Sequence, residues 1–366
     1  MPMPAMFASM LPQTKMVLVA IATLAAVTGC FIELLKRQLI SWVDKQPWRS
    51  RMIPLQRGMM HNFGYSESAT SDERVVVDCY CFLIAICSHH LVVSLALTPV
   101  AVLGWDSAGS AGKFLFYAGA VSDVAYSAYD SIQTTLRTFL PVSFKCLGVQ
   151  LPKKYFIVIV CLHHTLSMLL TVPMILYYPT MRALHVLMWS MLSAAGVGYL
   201  LGCYKFTLDT QDSRQDFLQY KAIVLVQFLM IWLVRGYVWL GQATSAMMVF
   251  HRLGDTPFLL LGLAGFVLMT LFNMLMVIDS TTAAVKWLPM QMHKLGQDKK
   301  LSCHETQKLT LRESVSERKG LPAMVHAAGL RRVHGARVAF ATQSSTQSFA
   351  RASSRLHDQP PAPKNV

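Results

Sequence analysis

The stretch YFIVIVCLHHTLSMLLTV, residues 155–172, is apolar almost throughout, yet two adjacent histidines, His163 and His164, sit in its middle. In a soluble core helix the pair would be a tolerable oddity. In a helix that crosses a bilayer each ring needs a partner inside the protein, and residues of that kind are tied to function. The rest of the chain decides which case holds.

The chain is 54% apolar and 14% charged, with a mean hydropathy of +0.41. A soluble domain carries about 25% charged residues. Apolar runs of roughly 18 residues or more match a hydrocarbon layer ~30 Å thick. Seven such runs are found, at 16–35, 75–104, 114–138, 154–178, 183–204, 218–241 and 257–286. The fold class expected is an all-α polytopic membrane protein with about seven transmembrane helices.

Lysine and arginine orient it. With seven spans, segments 36–74, 139–154, 205–221 and the tail from 287 share one side and carry seven, three, three and thirteen basic residues. The other side holds Lys15, Lys113, Arg182 and Arg252. The positive-inside rule then places the N-terminus outside, in the lumen, and the C-terminus in the cytosol. The net charge of +14 is largely this topological signal. No nucleic-acid recognition motif accompanies it, so a nucleic-acid partner is not expected.

The organisation expected is a signal-anchor helix at 1–43, a cytosolic linker at 44–74, a membrane domain at 75–290 and a disordered basic tail at 291–366. LAAVTGC, ending at Cys30, looks like a lipoprotein cleavage box, but Lys36 and Arg37 follow the span, as in an uncleaved anchor. The linker shows no sustained period; a short amphipathic piece with Trp48, Met52 and Leu55 toward lipid is one reading of it. No cysteine falls in a lumenal loop, so no disulfide framework is expected. Cys79, Cys81, Cys146 and Cys203 lie near the cytosolic face, as palmitoylation sites or as small packing residues. No metal-binding spacing appears.

Depth along each span can be counted. His163 lies ten residues past Lys153, about 15 Å deep at ~1.5 Å per residue. On the third span Asp123 and Asp130 are seven apart and share a face with Tyr126 and Ser127. Asp130 lies seven residues before Arg137, which marks the cytosolic interface, and so roughly 10–12 Å deep; His89, His90, Arg235 and Asn273 lie about 20 Å deep. Five helices thus carry polar groups at middle depth, and a charge facing lipid there costs at least ~2.5–3.5 kcal/mol. A shared polar interior follows, with Asp130, Asp123 and Arg235 facing His163, His164 and Asn273. The plainer alternatives are helix-bridging hydrogen bonds and a structural Asp123–Arg235 ion pair. Neighbouring residues of an α-helix point ~100° apart, so one of the two histidines is expected to face the cavity and the other to brace a helix.

These motifs, in this order, resemble the TLC family, the membrane domain of ceramide synthases and translocating-chain-associated proteins. SHHLVVS with His89 and His90, AYSAYDSI with Asp130, CLHHTLSML, Arg235 in the penultimate span and Asn273 in the last are each similar to a segment of that domain. The likeness covers residues 75–286. It implies a helical bundle around a lipid-sized cavity, in the endoplasmic reticulum, with membrane lipids, acyl-CoA and sphingoid bases as partners. One departure stands out. The fifth span, HVLMWSMLSAAGVGYLLGCYKF, contains His185 and Ser193 but no carboxylate, where ceramide synthases carry aspartates.

Two functions stay open. One is lipid binding, sensing or regulation of membrane composition, with no cofactor. The other is an acyl-CoA-dependent N-acyltransferase of the ceramide synthase type, with acyl-CoA as co-substrate. In it His163 or His164 acts as general base or acyl acceptor, oriented by Asp130, while Asp123, Tyr126, His89, His90, Ser193, Arg235 and Asn273 line the cavity. The signatures of a G-protein-coupled receptor, a DRY-like triplet and an NPxxY-like end, are missing. A transporter's repeated halves are missing too.

Overall fold

The computed structural model describes residues 3–144 and 147–291, and their regular structure is entirely helical. The helices are α1 (Met3–Val43), α2 (Arg49–Phe63), α3 (Glu67–Ser71), α4 (Glu73–Leu103), α5 (Gly109–Phe139), α6 (Lys153–Tyr177), α7 (Arg182–Lys205), α8 (Arg214–Leu253) and α9 (Thr256–Trp287). The tail expected to be disordered lies outside the described residues, apart from its first position.

The starts and stops follow local chemistry. Asp72, Ser213 and Asp255 cap α4, α8 and α9 by accepting from the N–H groups of Arg74, Asp216 and Phe258. Each satisfies one of the backbone donors that a helix start leaves free. Gly64 and Gly254, at φ of 89° and 66°, stop α2 and α8 in the left-handed conformation that glycine adopts without penalty.

Six of the helices are long and apolar enough to cross a membrane: α1 from Lys15, α4, α6, α7, α8 and α9. The seventh long helix, α5, is as long as α4 at 31 residues but carries Lys113, Asp123, Asp130 and Arg137. It nevertheless runs the length of the bundle. Trp105, just before it, stacks on His185 near the start of α7. Arg137, near its other end, donates to the carbonyl of Val149. Its polar groups are tolerated because Asp130, Gln133 and Arg137 are buried by neighbouring helices. The chain is an all-α polytopic membrane protein.

Helices α4, α5, α6, α9, α8 and α7 pack in that cyclic order, with α7 closing on α4, so six helices form a ring. Helix α1 lies outside the ring against α4 and α5. The α4–α7 approach is close enough that a Cβ on Gly196 would stand 2.7 Å from the backbone nitrogen of Leu91. Small residues permit such contacts where no hydrophobic effect drives helices together. The outer surface is apolar, with Leu95, Leu169, Leu229, Leu260 and Leu271 exposed. Exposed apolar side chains around satisfied helical backbone are what a lipid surface requires.

The four basic segments meet at one end of the bundle. Arg51 of α2 pairs with Asp209 at 3.1 Å, Lys154 donates to the carbonyl of Asn62, and Lys221 to that of Met290. At the opposite end Arg182 donates to the carbonyl of Val100, and the Tyr178 hydroxyl donates to Asp255.

Residues 44–74 differ from the linker expected. They form α2 and α3, and Met52, Ile53 and Met60 are buried against Val43, Tyr80, Cys203 and Phe206 rather than turned to lipid. The buried face of α2 also includes Gln56 and Gly58, which is why no apolar period marks it. The palmitoylation reading fails for Cys81 and Cys203, whose thiols are buried; Cys79 is half-buried, and Cys146 lies outside the described residues.

Candidate functional site

The ring encloses two cavities that meet at a polar junction. One, of about 180 Å³, lies among α6, α7, α8 and α9, walled largely by methionine, leucine and phenylalanine such as Met174, Met188, Phe250 and Phe266. The other, of about 200 Å³, reaches toward the basic end; its wall mixes apolar residues such as Met60, Phe82 and Leu83 with Tyr65, Tyr126, Asp130, Arg137, Tyr155 and Tyr199, which make it the more polar of the two. Five residues line both: His90, His163, His164, Ala195 and Arg235. Burial pushes the Tyr65 phenol well above its ordinary pKa, so it presents a hydroxyl to the second cavity.

Three polar pairs build the junction. His164 Nε2 lies 2.9 Å from Asp130 Oδ2, joining α6 to α5, and both side chains are almost wholly buried. An ionised carboxylate only accepts, so with Asp130 ionised the ring N–H sits at Nε2. Nδ1 of His164 is buried with no partner. Arg235 Nη1 donates to Asn273 Oδ1 at 2.9 Å, joining α8 to α9. His90 Nδ1 stands 3.3 Å from Asp123 Oδ1, without hydrogen-bond geometry, where α4 meets α5.

His163 is held differently. It makes no hydrogen bond among the described residues, and its ring stacks on Phe272 with centroids 5.1 Å apart and planes 6° from parallel. Arg235 lies over the same phenylalanine, 5.8 Å from its centroid. The face of an aromatic ring attracts a cation at this distance. Phe272 therefore organises two of the residues that line both cavities, and no polarity marks it in the sequence.

The backbone explains how two adjacent histidines reach one junction. Phe156–His164 of α6 is π-helical, with Thr165 closing the segment by donating both its N–H and its hydroxyl to the carbonyl of Val160. A ladder closed at i→i+5 holds more residues per turn than an α-helix, so successive side chains are separated by less than ~100°. Both His163 and His164 consequently line both cavities, where one of the two was expected to turn away. Arg235 also lies in a π-helical segment, Trp232–Val238 of α8. Such segments occur often at functional sites.

The other expected residues are sorted by the structure. Asp123 and Ser127 line the apolar cavity, and Tyr126 lines the polar one. His89 lines neither; its Nε2 is 3.1 Å from the Ser122 hydroxyl, bridging α4 to α5. Asn273 lines neither and braces Arg235. Ser193 is a correction. It is half-buried and lines neither cavity, because the inward stripe of α7 runs through Leu184, Leu187, Met188, Met191, Ala195 and Tyr199. The Asp123–Arg235 ion pair is not formed, since Asp123 faces His90. Among the described residues no group of three or more His, Cys, Asp or Glu is placed to hold a metal ion.

Sequence reasoning missed the walls that α2 supplies, Gln56, Met59, Met60 and Phe63, and it took Arg137 for an interfacial marker although it lines the polar cavity. Comparison with protein-family models, curated proteins and solved structures finds no match for this chain.

Proposed function

We propose that the chain is a TLC-type membrane protein of lipid homeostasis that holds a lipid or acyl chain within its helical ring. One observation carries this reading: a single polar cluster is shared by two largely apolar interior cavities, the second of which adds Asp130, Arg137 and four tyrosines to its wall. An amphiphile lying across the junction would place its chain among Met174, Met188 and Phe250 and its head beside His90, His163, His164 and Arg235. Methionine walls adapt to chains of varied shape. The order of SHHLVVS, AYSAYDSI and CLHHTLSML along the chain supports the family. The excess of Lys and Arg in alternate segments supports a lumenal N-terminus and a cytosolic C-terminus, and the family resemblance implies the endoplasmic reticulum as the compartment.

A second reading, an acyl-CoA-dependent N-acyltransferase, is favoured by the His164–Asp130 pair beside a His163 that makes no hydrogen bond. In it His163 takes the proton of a sphingoid amine as that nitrogen attacks the thioester carbonyl. The carbon–sulfur bond then breaks and the CoA thiolate leaves with a proton. Arg235 would stabilise the oxyanion of the tetrahedral intermediate. No Asp or Glu on Arg182–Lys205 supplements this set, which leaves binding as the stronger reading.

The test is run in membranes from cells lacking their own ceramide synthases, with labelled sphingoid base and acyl-CoAs of several lengths. Lipid retained by the purified protein is measured in parallel by mass spectrometry. A retained lipid with no acylated product supports the binding reading. Product that forms with wild type and vanishes in His163→Ala/His164→Ala, at matched expression, establishes the enzyme. Neither product nor retained lipid, from folded and membrane-inserted protein, overturns both.

A further inference from the structure

Among the described residues, Arg235 is the one Lys or Arg that lines both cavities. It is 7% exposed, and among the described residues it has no carboxylate partner. Of the carboxylates that line the cavities with it, Asp130 is bonded to His164, and Asp123 lies 3.3 Å from a ring nitrogen of His90. A guanidinium keeps its charge inside a protein. Buried charges in native structures are paired, and this one has only a neutral amide and the face of Phe272. Its fork is half used. Nη1 donates to Asn273, whereas Nε is buried with no partner, so the Nε–Nη2 edge is uncommitted. An edge of two N–H groups engages a carboxylate through two parallel hydrogen bonds.

Resting on the lipid-binding reading above, we infer that the ligand itself supplies the missing counter-charge: a single-chain amphiphile with a carboxylate head, seated on Arg235 with its chain in the apolar cavity. A guanidinium with no carboxylate bonded to it takes a monoanion; a phosphate monoester would bring a second negative charge into a space that Asp123 and Asp130 already line. The apolar cavity, at about 180 Å³, has no room for two chains and takes the head-proximal part of a long one. The cavity begins at the junction, so a head on Arg235 leads its chain directly between α6, α7, α8 and α9. His163, stacked on the other side of this arrangement through Phe272, adds no negative charge. The anion is therefore read by Arg235 with Asn273 as its positioning residue.

The experiment uses the full chain in phosphatidylcholine nanodiscs and tritiated palmitic acid as the probe. Unlabelled palmitic acid, hexadecanol and a palmitoyl lysophosphatidic acid compete. The acid is expected to bind about 10- to 100-fold more tightly than the alcohol, the range for a charge-assisted hydrogen bond. Arg235→Gln should abolish that preference while hexadecanol, now followed with its own label, still binds; Arg235→Lys should keep part of it. Equal binding of acid and alcohol by wild type overturns the counter-charge proposal while leaving the lipid cavity intact. Stronger binding of the lysophosphatidic acid than of palmitate overturns the carboxylate assignment. Binding of none of the three removes the proposal together with the reading it rests on. Should Arg235→Gln fail to fold, the acid-to-alcohol ratio of the wild-type chain decides alone.

Discussion

At the scale of single residues, the pair that organises the junction is Asp130 with His164. Both are almost wholly buried, and the bond between them is a direct side-chain hydrogen bond from α5 to the π-helical segment of α6. Removing the carboxylate leaves the Nε2–H of His164 without an acceptor, in a ring whose Nδ1 already lacks a partner. The cost of such an orphaned donor is about 1–3 kcal/mol. Asp130→Ala is therefore expected to lower the apparent Tm in nanodiscs by several degrees, and Asp130→Asn, which keeps an accepting oxygen, by less. A fluorogenic thiol dye reads the transition directly, because Cys81, Cys87 and Cys203 are buried in the folded chain. Equal losses for the two variants would show that the pair is held by charge rather than by the hydrogen bond.

At the scale of elements, the question is why depth was legible and direction was not. The rise of a helix is nearly constant, so counting residues from the basic flanks brought His163, His164, Asp130, Asp123, Arg235 and Asn273 to neighbouring levels, and the structure gathers them there. Azimuth depends on the hydrogen-bond ladder, and nothing in FIVIVCLHH announces an i→i+5 register. Ser193 failed for the related reason that one position along α7 turns a side chain out of the inward stripe. Helix α2 was illegible because Gln56 and Gly58 interrupt its buried face, and only its fit against α4 explains their burial. The π-helical register itself is testable. Deleting Ile157, which is 60% exposed on the outer surface, removes the extra residue and allows α6 to close as an α-helix. The histidines would then diverge by ~100°, so one leaves the junction. Palmitate binding is expected to fall severalfold, because the displaced ring leaves a gap in the junction wall beside Arg235, while the helical circular dichroism signal is kept. Undiminished binding by the deletion variant would mean that the paired placement of the rings is incidental.

At the scale of the whole molecule, the architecture inverts the usual arrangement, with leucines on the outside and titratable groups within. That inversion follows from the solvent: lipid offers no hydrogen bonds, so each polar group on α4, α5, α6, α8 and α9 has to find its partner in the interior of the ring. The same logic covers α5, which by composition falls outside the six apolar spans yet runs through the bundle because its neighbours bury Asp130, Gln133 and Arg137. Seven end-to-end passages bring segments 36–74, 139–154, 205–221 and the residues after 287 to one end, where Arg51–Asp209, Lys154–Asn62 and Lys221–Met290 tie them together. The basic charge on that end carries the last prediction. Glycosylation acceptor sites placed in the 104–108 connection, or ahead of α1, should be modified by the lumenal transferase when the chain is made in microsomes. A site placed in the 140–144 turn should not be. Positive segments resist translocation, and thirteen Lys and Arg in the three internal basic connections face four on the opposite end. Modification at 140–144 with none at 104–108 would reverse the orientation and put the polar cavity, with Tyr65 and Arg137, on the lumenal side. A cytosolic thioester donor could not then enter through it, so this outcome would also remove the acyltransferase reading while leaving an interior lipid site untouched.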